Sequence, residues 1–277
     1  MKQGLLILIG GAEDRKHDKK VLKTVLEKTN AKRIAVIPTA SSYQREVYNV
    51  YRNAFRDLGA DIVYDLDIRY SNEADRDENL KVLDDIDLLF MSGGDQTKLA
   101  DVFLGTKFYD EIKKRFLSGK LHIAGTSAGS AVVSNPMLFD GDYKGFIKES
   151  INTAEGFGLL PTITVDTHFL QRERIARLSQ FLASGKSNKG IGLDEDTAII
   201  IYPNFKFEVV GSGMVTVMHS GRLTGNNYSK IEKNEIINFN NIRIGFLSEG
   251  GKFNLKRWTI LSPNSKICEA NMELTNK

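Results

Sequence analysis

The sequence predicts an α/β fold: three layers, with a mostly parallel sheet between flanking helices and antiparallel edge strands in the C-terminal third. Three observations carry that expectation. Short apolar runs alternate with longer stretches of helical period through the first two-thirds of the chain, the β-α-β-α order of a parallel sheet. Small, polar, flexible residues follow four of those runs. After Pro161 the pattern changes to closely spaced strand-like segments punctuated by glycine.

Taken in order, residues 5–9, 34–37, 62–63, 88–91 and 122–124 are apolar runs bounded by turn residues, and these are the candidate strands. Between the first two, Val21, Leu22, Val25 and Leu26 recur at spacings of three and four. Between the next two, Val47, Val50, Tyr51, Ala54, Phe55 and Leu58 do the same. Each stripe is that of a helix packed on a sheet. Beyond Pro161 the expected elements are a strand at 162–165, a helix over about 171–182, strands at 190–193 and 197–201, and strand-like residues through 207–217. Residues 226–241 are polar and read as a loosely ordered excursion, and 262–277 as a tail. No Pro/Ser-rich linker, repeat or low-complexity segment interrupts the 277 residues, so 1–277 is expected to be a single α/β domain.

Composition narrows the function classes. With 38 basic and 35 acidic residues the formal net charge is +3, too balanced for a phosphate-binding surface, so nucleic acid is not an expected partner. One cysteine, Cys268, allows no internal disulfide and no cysteine-rich metal site. The apolar run at 5–9 is far shorter than a membrane span or a signal h-region. A cytoplasmic protein with no membrane partner, no metal and no cofactor is expected.

The loops carry the chemistry. They read Gly10-Gly11-Ala12-Glu13-Asp14, Pro38-Thr39-Ala40-Ser41-Ser42, Ser92-Gly93-Gly94-Asp95-Gln96 and Gly125-Thr126-Ser127-Ala128-Gly129-Ser130. In an open parallel sheet the right-handed crossovers bring every β-to-α loop to one edge, so these segments should face one cleft. The last contains G-x-S-x-G, a nucleophile elbow in which a strand turns sharply into a helix and presents the serine oxygen. Ser127 is the candidate nucleophile. The Ala128 N–H, at the start of the following helix, is the first candidate oxyanion donor.

A serine needs a base within hydrogen-bond reach, and the chain has four histidines. His17 lies in a charged loop, His122 inside a central strand and His219 after an edge-strand region. His168 ends a strand in Val165-Asp166-Thr167-His168-Phe169, which puts it at the cleft edge. A carboxylate should orient it, and Asp194-Glu195-Asp196 follows a strand. Period-two alternation sets Asp194 and Asp196 on one face and Glu195 on the other, and leaves the choice between them open.

These blocks together resemble the cyanophycinase family and the wider group of serine peptidases that includes aspartyl dipeptidase. The resemblance also rests on Arg172, Arg174 and Arg177 and on Gly190-Ile191-Gly192-Leu193 before the acidic triplet. It implies Ser127 as nucleophile, His168 as base and Glu195 as its carboxylate, on a fold similar to class I glutamine amidotransferases and commonly as a homodimer. Cysteine stands at the elbow of those amidotransferases, and this chain has serine there.

Gly94 is then the expected second oxyanion donor, and Gln96, Thr167, Arg172, Arg174 and Arg177 the expected substrate-binding residues. Guanidinium groups pair bidentately with the carboxylates of an aspartyl substrate. Residues 174 and 177 can share one helix face while 172 points elsewhere, so at least one of the three should be structural. Cyanophycin also carries arginine side chains, for which Asp95 and Glu155 are candidate anions. Thr167 and Ser130 depart from the pattern associated with the cyanobacterial enzymes, where glutamine and alanine are usual. The expected activity is exopeptidase cleavage of cyanophycin to β-Asp-Arg dipeptides. The alternatives are an aspartyl dipeptidase and a non-catalytic binding module of the same fold.

Overall fold

Residues 3–141 and 146–261 are described by a computed structural model; Cys268 and the expected tail lie outside the described residues. The apolar runs of the first half form five strands: β1 (Leu6–Ile9), β2 (Arg33–Ile37), β3 (Ile62–Asp65), β4 (Leu88–Met91) and β5 (His122–Thr126). They lie in the order β1-β5-β4-β2-β3, and every neighbouring pair is parallel. Both faces of β1 and β4 are buried, which explains why their sequences are continuous apolar runs rather than alternating ones.

Helices cover both faces, and the two-residue period of the strands decides which side chain meets which helix. Ile7, Ile9, Ile34, Val36 and Phe90 share one core with Val21, Leu22, Val25 and Leu26 of α1 (Lys20–Thr29) and with Tyr51 and Phe55 of α2 (Gln44–Asp57). The alternate residues Leu6, Leu8, Ala35, Ile37, Leu89 and Met91 face the opposite layer. That layer holds α3 (Ser71–Ala74), α4 (Asp77–Asp85), α5 (Gln96–Phe103) and α6 (Lys107–Leu117), with Phe103, Phe108 and Phe116 in its core. Burying each such side chain contributes roughly 1.5–3 kcal/mol.

After β5 come the short helix α7 (Ala128–Ala131) and the hairpin β6 (Met137–Gly141) and β7 (Ile151–Ala154). Then follow β8 (Thr164–Thr167), α8 (Ile175–Ala183), β9 (Lys189–Leu193), β10 (Thr197–Ile201), β11 (Lys206–Gly211), β12 (Val215–His219), β13 (Arg243–Leu247), β14 (Lys252–Asn254) and β15 (Thr259–Ile260). The expected antiparallel strands are present, but they divide between two sheets. β10 pairs antiparallel with β1 and extends the central sheet through β11, β14 and β15 to nine strands. β9 and β12 belong to a second sheet, ordered β13-β12-β9-β8, in which β8 and β9 are parallel.

Several expected elements differ in extent: the strand expected at 162–165 is Thr164–Thr167, after a turn in which Thr162 is left-handed at φ 64°. The strand-like stretch 207–217 is two strands in two sheets, broken at Ser212-Gly213-Met214. The helix expected over 171–182 starts only at Ile175, because residues 169–174 form turns in which Glu173 is left-handed, at φ 53°. The excursion at 226–241 holds a 3-10 turn at Tyr228–Lys230 and isolated bridges from Thr224 to Asn240 and from Ile236 to Ile147. No helix among the described residues is long and apolar enough to cross a membrane.

Candidate active site

Ser127 sits between β5 and α7 with φ 52° and ψ −113°. A non-glycine residue there costs about 1–3 kcal/mol, so the surroundings must hold it. The Ser127 N–H donates to Ile9 O at 3.0 Å, and the Ser127 carbonyl accepts from the Ser130 and Ala131 N–H groups at 2.9 Å. Ser130 is buried. Its hydroxyl accepts from the Ile9 N–H at 2.8 Å and lies within hydrogen-bond distance of the Ile9 and Gly125 carbonyls. Close approach of α7 to β4 requires glycine at 129, where a Cβ would stand 2.3 Å from Met91 O.

His168 follows β8 directly and Glu195 lies two residues past β9, so the parallel pairing of these strands brings both side chains to one edge. Ser127 Oγ is 2.8 Å from His168 Nε2, and His168 Nδ1 is 2.7 Å from Glu195 Oε1. With these partners Nδ1 carries the proton and donates to the carboxylate, while Nε2 accepts from the serine hydroxyl. Burial pushes the His168 imidazole below its ordinary value, opposed by the Glu195 hydrogen bond, with the charge on Arg172 pushing further down. The contact with Glu195 is a hydrogen bond while the ring is neutral, and becomes an ion pair when the ring takes a proton.

The acidic triplet divides its work. Glu195 meets His168, and its N–H donates to Gln171 Oε1 at 3.2 Å. The Asp194 carboxylate accepts from the Leu170 and Met214 N–H groups, each at 3.0 Å, and Asp196 accepts from the Asp14 N–H and the Ser212 hydroxyl. The other histidines have different surroundings. His122 Nδ1 accepts from the Leu5 N–H, His219 Nδ1 from the Gly221 N–H, and His17 stands beside Asp14 on the surface.

Ser127 and His168 open on a cleft of about 410 Å³ that Gly94 and Ala128 also line. Gly94, at φ 142°, is pressed against the loop after β2, where a Cβ would stand 2.1 Å from Ala40 O. Gln96, Thr167, Arg172 and Arg174 line the same cleft. The Gln96 side-chain nitrogen donates to Leu138 O at 2.7 Å, which ties the cleft wall to the β6–β7 hairpin.

The three arginines part company. Arg172 is exposed at the cleft. Arg174 is buried and donates from Nη1 to Asp166 Oδ1 at 3.1 Å and to Thr167 O at 2.6 Å. Arg177, also expected at the substrate, is 1% exposed, its Nε lies 3.2 Å from Asp166 Oδ2, and it is not among the residues that line the cleft. Glu155 lines a separate cavity with Met137 and Leu104, so it is not an anion of this cleft, whereas Asp95 is. Phe139 and Asp140, at the end of β6, also line the cleft. Sequence reasoning missed them because a hairpin strand outside every motif gives no sign of which cleft it borders. Among the described residues no group of three or more His, Cys, Asp or Glu side chains is placed to hold a metal ion.

Comparison with known proteins places the chain in a family. The family model described as Peptidase family S51 matches residues 6–205. A cyanophycinase of Trichormus variabilis is 34% identical over 265 residues, 95% of this chain and 89% of the relative. A cyanophycinase of Geminocystis herdmanii is 31% identical over 262 residues, 92% of this chain and 96% of the relative. Among solved structures, a peptidase from an acI-B1 Actinobacterium superposes with a TM-score of 0.65 at 26% identity, covering 78% of this chain and 90% of that one. The chain belongs to Peptidase family S51 and is a serine-type peptidase.

Proposed function

We propose that this peptidase is an exopeptidase that hydrolyses cyanophycin, multi-L-arginyl-poly-L-aspartate, to β-Asp-Arg dipeptides through an acyl-enzyme on Ser127. The observation that carries the reading is the run of hydrogen bonds from Ser127 Oγ through His168 to Glu195, at 2.8 and 2.7 Å, opening on a cleft that offers both cationic and anionic side chains. The name shared by the curated relatives supports the substrate.

In the proposed cycle His168 Nε2 takes the Ser127 proton as Oγ attacks the aspartyl carbonyl. The Gly94 and Ala128 N–H groups receive the charge that develops on the carbonyl oxygen. Glu195 stabilises the imidazolium, which then protonates the leaving amine. Water, deprotonated by the same imidazole, releases the acyl group and restores Ser127. Arg172 supplies a guanidinium for a substrate carboxylate, and Asp95 and Asp140 supply carboxylates for the arginine side chains. The same reading takes residues 1–277 as one domain acting in the cytoplasm as a homodimer, and light scattering on the purified protein tests the oligomeric state directly.

Incubation with cyanophycin and, separately, with Asp-X dipeptides decides the substrate. β-Asp-Arg should appear from the polymer with the native protein and not with Ser127→Ala. Hydrolysis of the dipeptides without release from cyanophycin would replace this reading with an aspartyl dipeptidase.

A further inference from the structure

The loop Gly10-Gly11-Ala12-Glu13-Asp14 has no part in the cycle above, yet it and the strand end before it touch the segments that carry Ser127, His168 and Glu195. Ile9, the last residue of β1, accepts from the Ser127 N–H at 3.0 Å. Gly10 O accepts from the His168 N–H at 2.9 Å, and Gly11 O from the Asp196 N–H at 2.8 Å, one residue beyond Glu195. The Gly10 N–H donates to Thr197 O at 2.8 Å and the Asp14 N–H to Asp196 Oδ1 at 3.2 Å. The loop thus joins the elbow on the central sheet to the ends of β8 and β9 on the second.

Two side-chain positions in it are unusual. Gly11 has φ 103°, and a Cβ there would stand 2.3 Å from His168 Cε1 and 2.5 Å from Nε2. The imidazole lies against bare backbone, with no room for even a methyl group. Glu13 is 2% exposed, and both carboxylate oxygens are engaged: Oε1 accepts from the Tyr51 hydroxyl at 2.5 Å and Oε2 from the Thr126 hydroxyl at 2.6 Å. Thr126 immediately precedes Ser127. A buried carboxylate is costly unless hydrogen-bonded in this way, so these contacts fix the loop, α2 and the elbow relative to one another.

We infer that this loop is the positioning element of the site, with Gly11 as the platform on which the His168 ring rests and Glu13 as a positioning residue that clamps the elbow to it. The inference rests on the assignment of Ser127 and His168 proposed above. It also accounts for the buried acidic side chain at 13, which neither the cleft nor the cycle uses.

The test compares Gly11→Ala, Glu13→Gln and Ser127→Ala with the native protein, by steady-state hydrolysis, labelling with a serine-directed phosphonate, circular dichroism and the downfield proton signal of His168 Nδ1–H. Gly11→Ala should lower kcat about 100-fold with KM within about threefold of native, because small misplacements of a reacting group have effects of that size. Labelling should slow in parallel and the Nδ1–H signal should be lost, while the dichroism stays native. Glu13→Gln should lower kcat roughly tenfold and keep the Nδ1–H signal, since it acts on the serine side. Native kcat per folded molecule in either variant overturns the role given to that residue. If Gly11→Ala does not fold, Glu13→Gln, which keeps the shape of the side chain, decides the clamp, and Gly11→Ala combined with His168→Ala decides the platform: native dichroism in the double variant locates the clash at the imidazole ring, and continued failure to fold overturns the platform role. Equal labelling of Ser127→Ala and native protein would instead remove the assignment of the nucleophile, whatever the loop variants do.

Discussion

Ser127 rises from β5, where Ile123 and Ala124 are fully buried among apolar neighbours, whereas His168 and Glu195 leave β8 and β9 beside a buried cluster of Asp166, Arg174 and Arg177. The first wall of the site is held by packing, which is non-directional and tolerates changes that conserve volume. The second is packed as well, with Val165, Ile191 and Leu193 fully buried, but adds charge pairs, which are directional and lose most when one partner is removed. One site therefore has two kinds of fragility, and substitutions on its two walls should fail differently.

The largest effect expected lies on the second wall and concerns turnover rather than folding. Glu195→Gln should lower kcat about 10,000-fold, because an amide can hold His168 in the wrong tautomer and cannot stabilise its cation. The Glu195 side chain is 38% exposed, so the unfolding midpoint in urea should barely move. Its neighbour reverses the pattern. Asp194→Ala leaves two backbone N–H groups without their acceptor and should cost about 1–3 kcal/mol of stability, with kcat of the folded protein near native. Equal losses of turnover in the two variants would break the division of the acidic triplet.

Asp166→Ala sharpens the contrast between the walls. Removing this 2% exposed carboxylate takes a counter-charge from two buried guanidinium groups and should cost about 3–5 kcal/mol. Ile123→Val, on the first wall, should cost only about 0.5–1.5 kcal/mol. Urea denaturation of the two variants measures both. Similar costs would mean that packing, not the ion pairs, holds β8 in place.

The first wall was the more legible in the sequence. Apolar runs bounded by turn residues mark β1, β2, β4 and β5 to within a residue or two, and G-x-S-x-G marks the elbow, because periodicity and turn chemistry are local properties of the chain. The second wall depends on partners distant in sequence. Nothing local in 190–217 says that β10 and β11 join one sheet while β9 and β12 join another. The left-handed turn at Glu173 delays α8 to Ile175, so helical spacing alone could not say that Arg172 would face the cleft and Arg177 the interior. Asp140 belongs to the cleft only through the path of a hairpin.

The smallest expected effect reads the electrostatics of the second wall through pH. Burial holds the His168 imidazole below its ordinary value, so the acid limb of kcat/KM should fall below the pH at which a free imidazole titrates. The sign for stability agrees: a histidine whose folded value is depressed stabilises the fold above its unfolded value, and that contribution is lost as pH falls through the folded value. Arg172 pushes the imidazole further down, and it is exposed. Arg172→Gln should therefore move the acid limb upward, toward the ordinary value, and added salt should shrink the difference between variant and native, because an exposed charge is screened. If the limb stays fixed in Arg172→Gln while KM rises, Arg172 acts on the substrate alone, and the low value belongs to burial and the remaining charges of the wall.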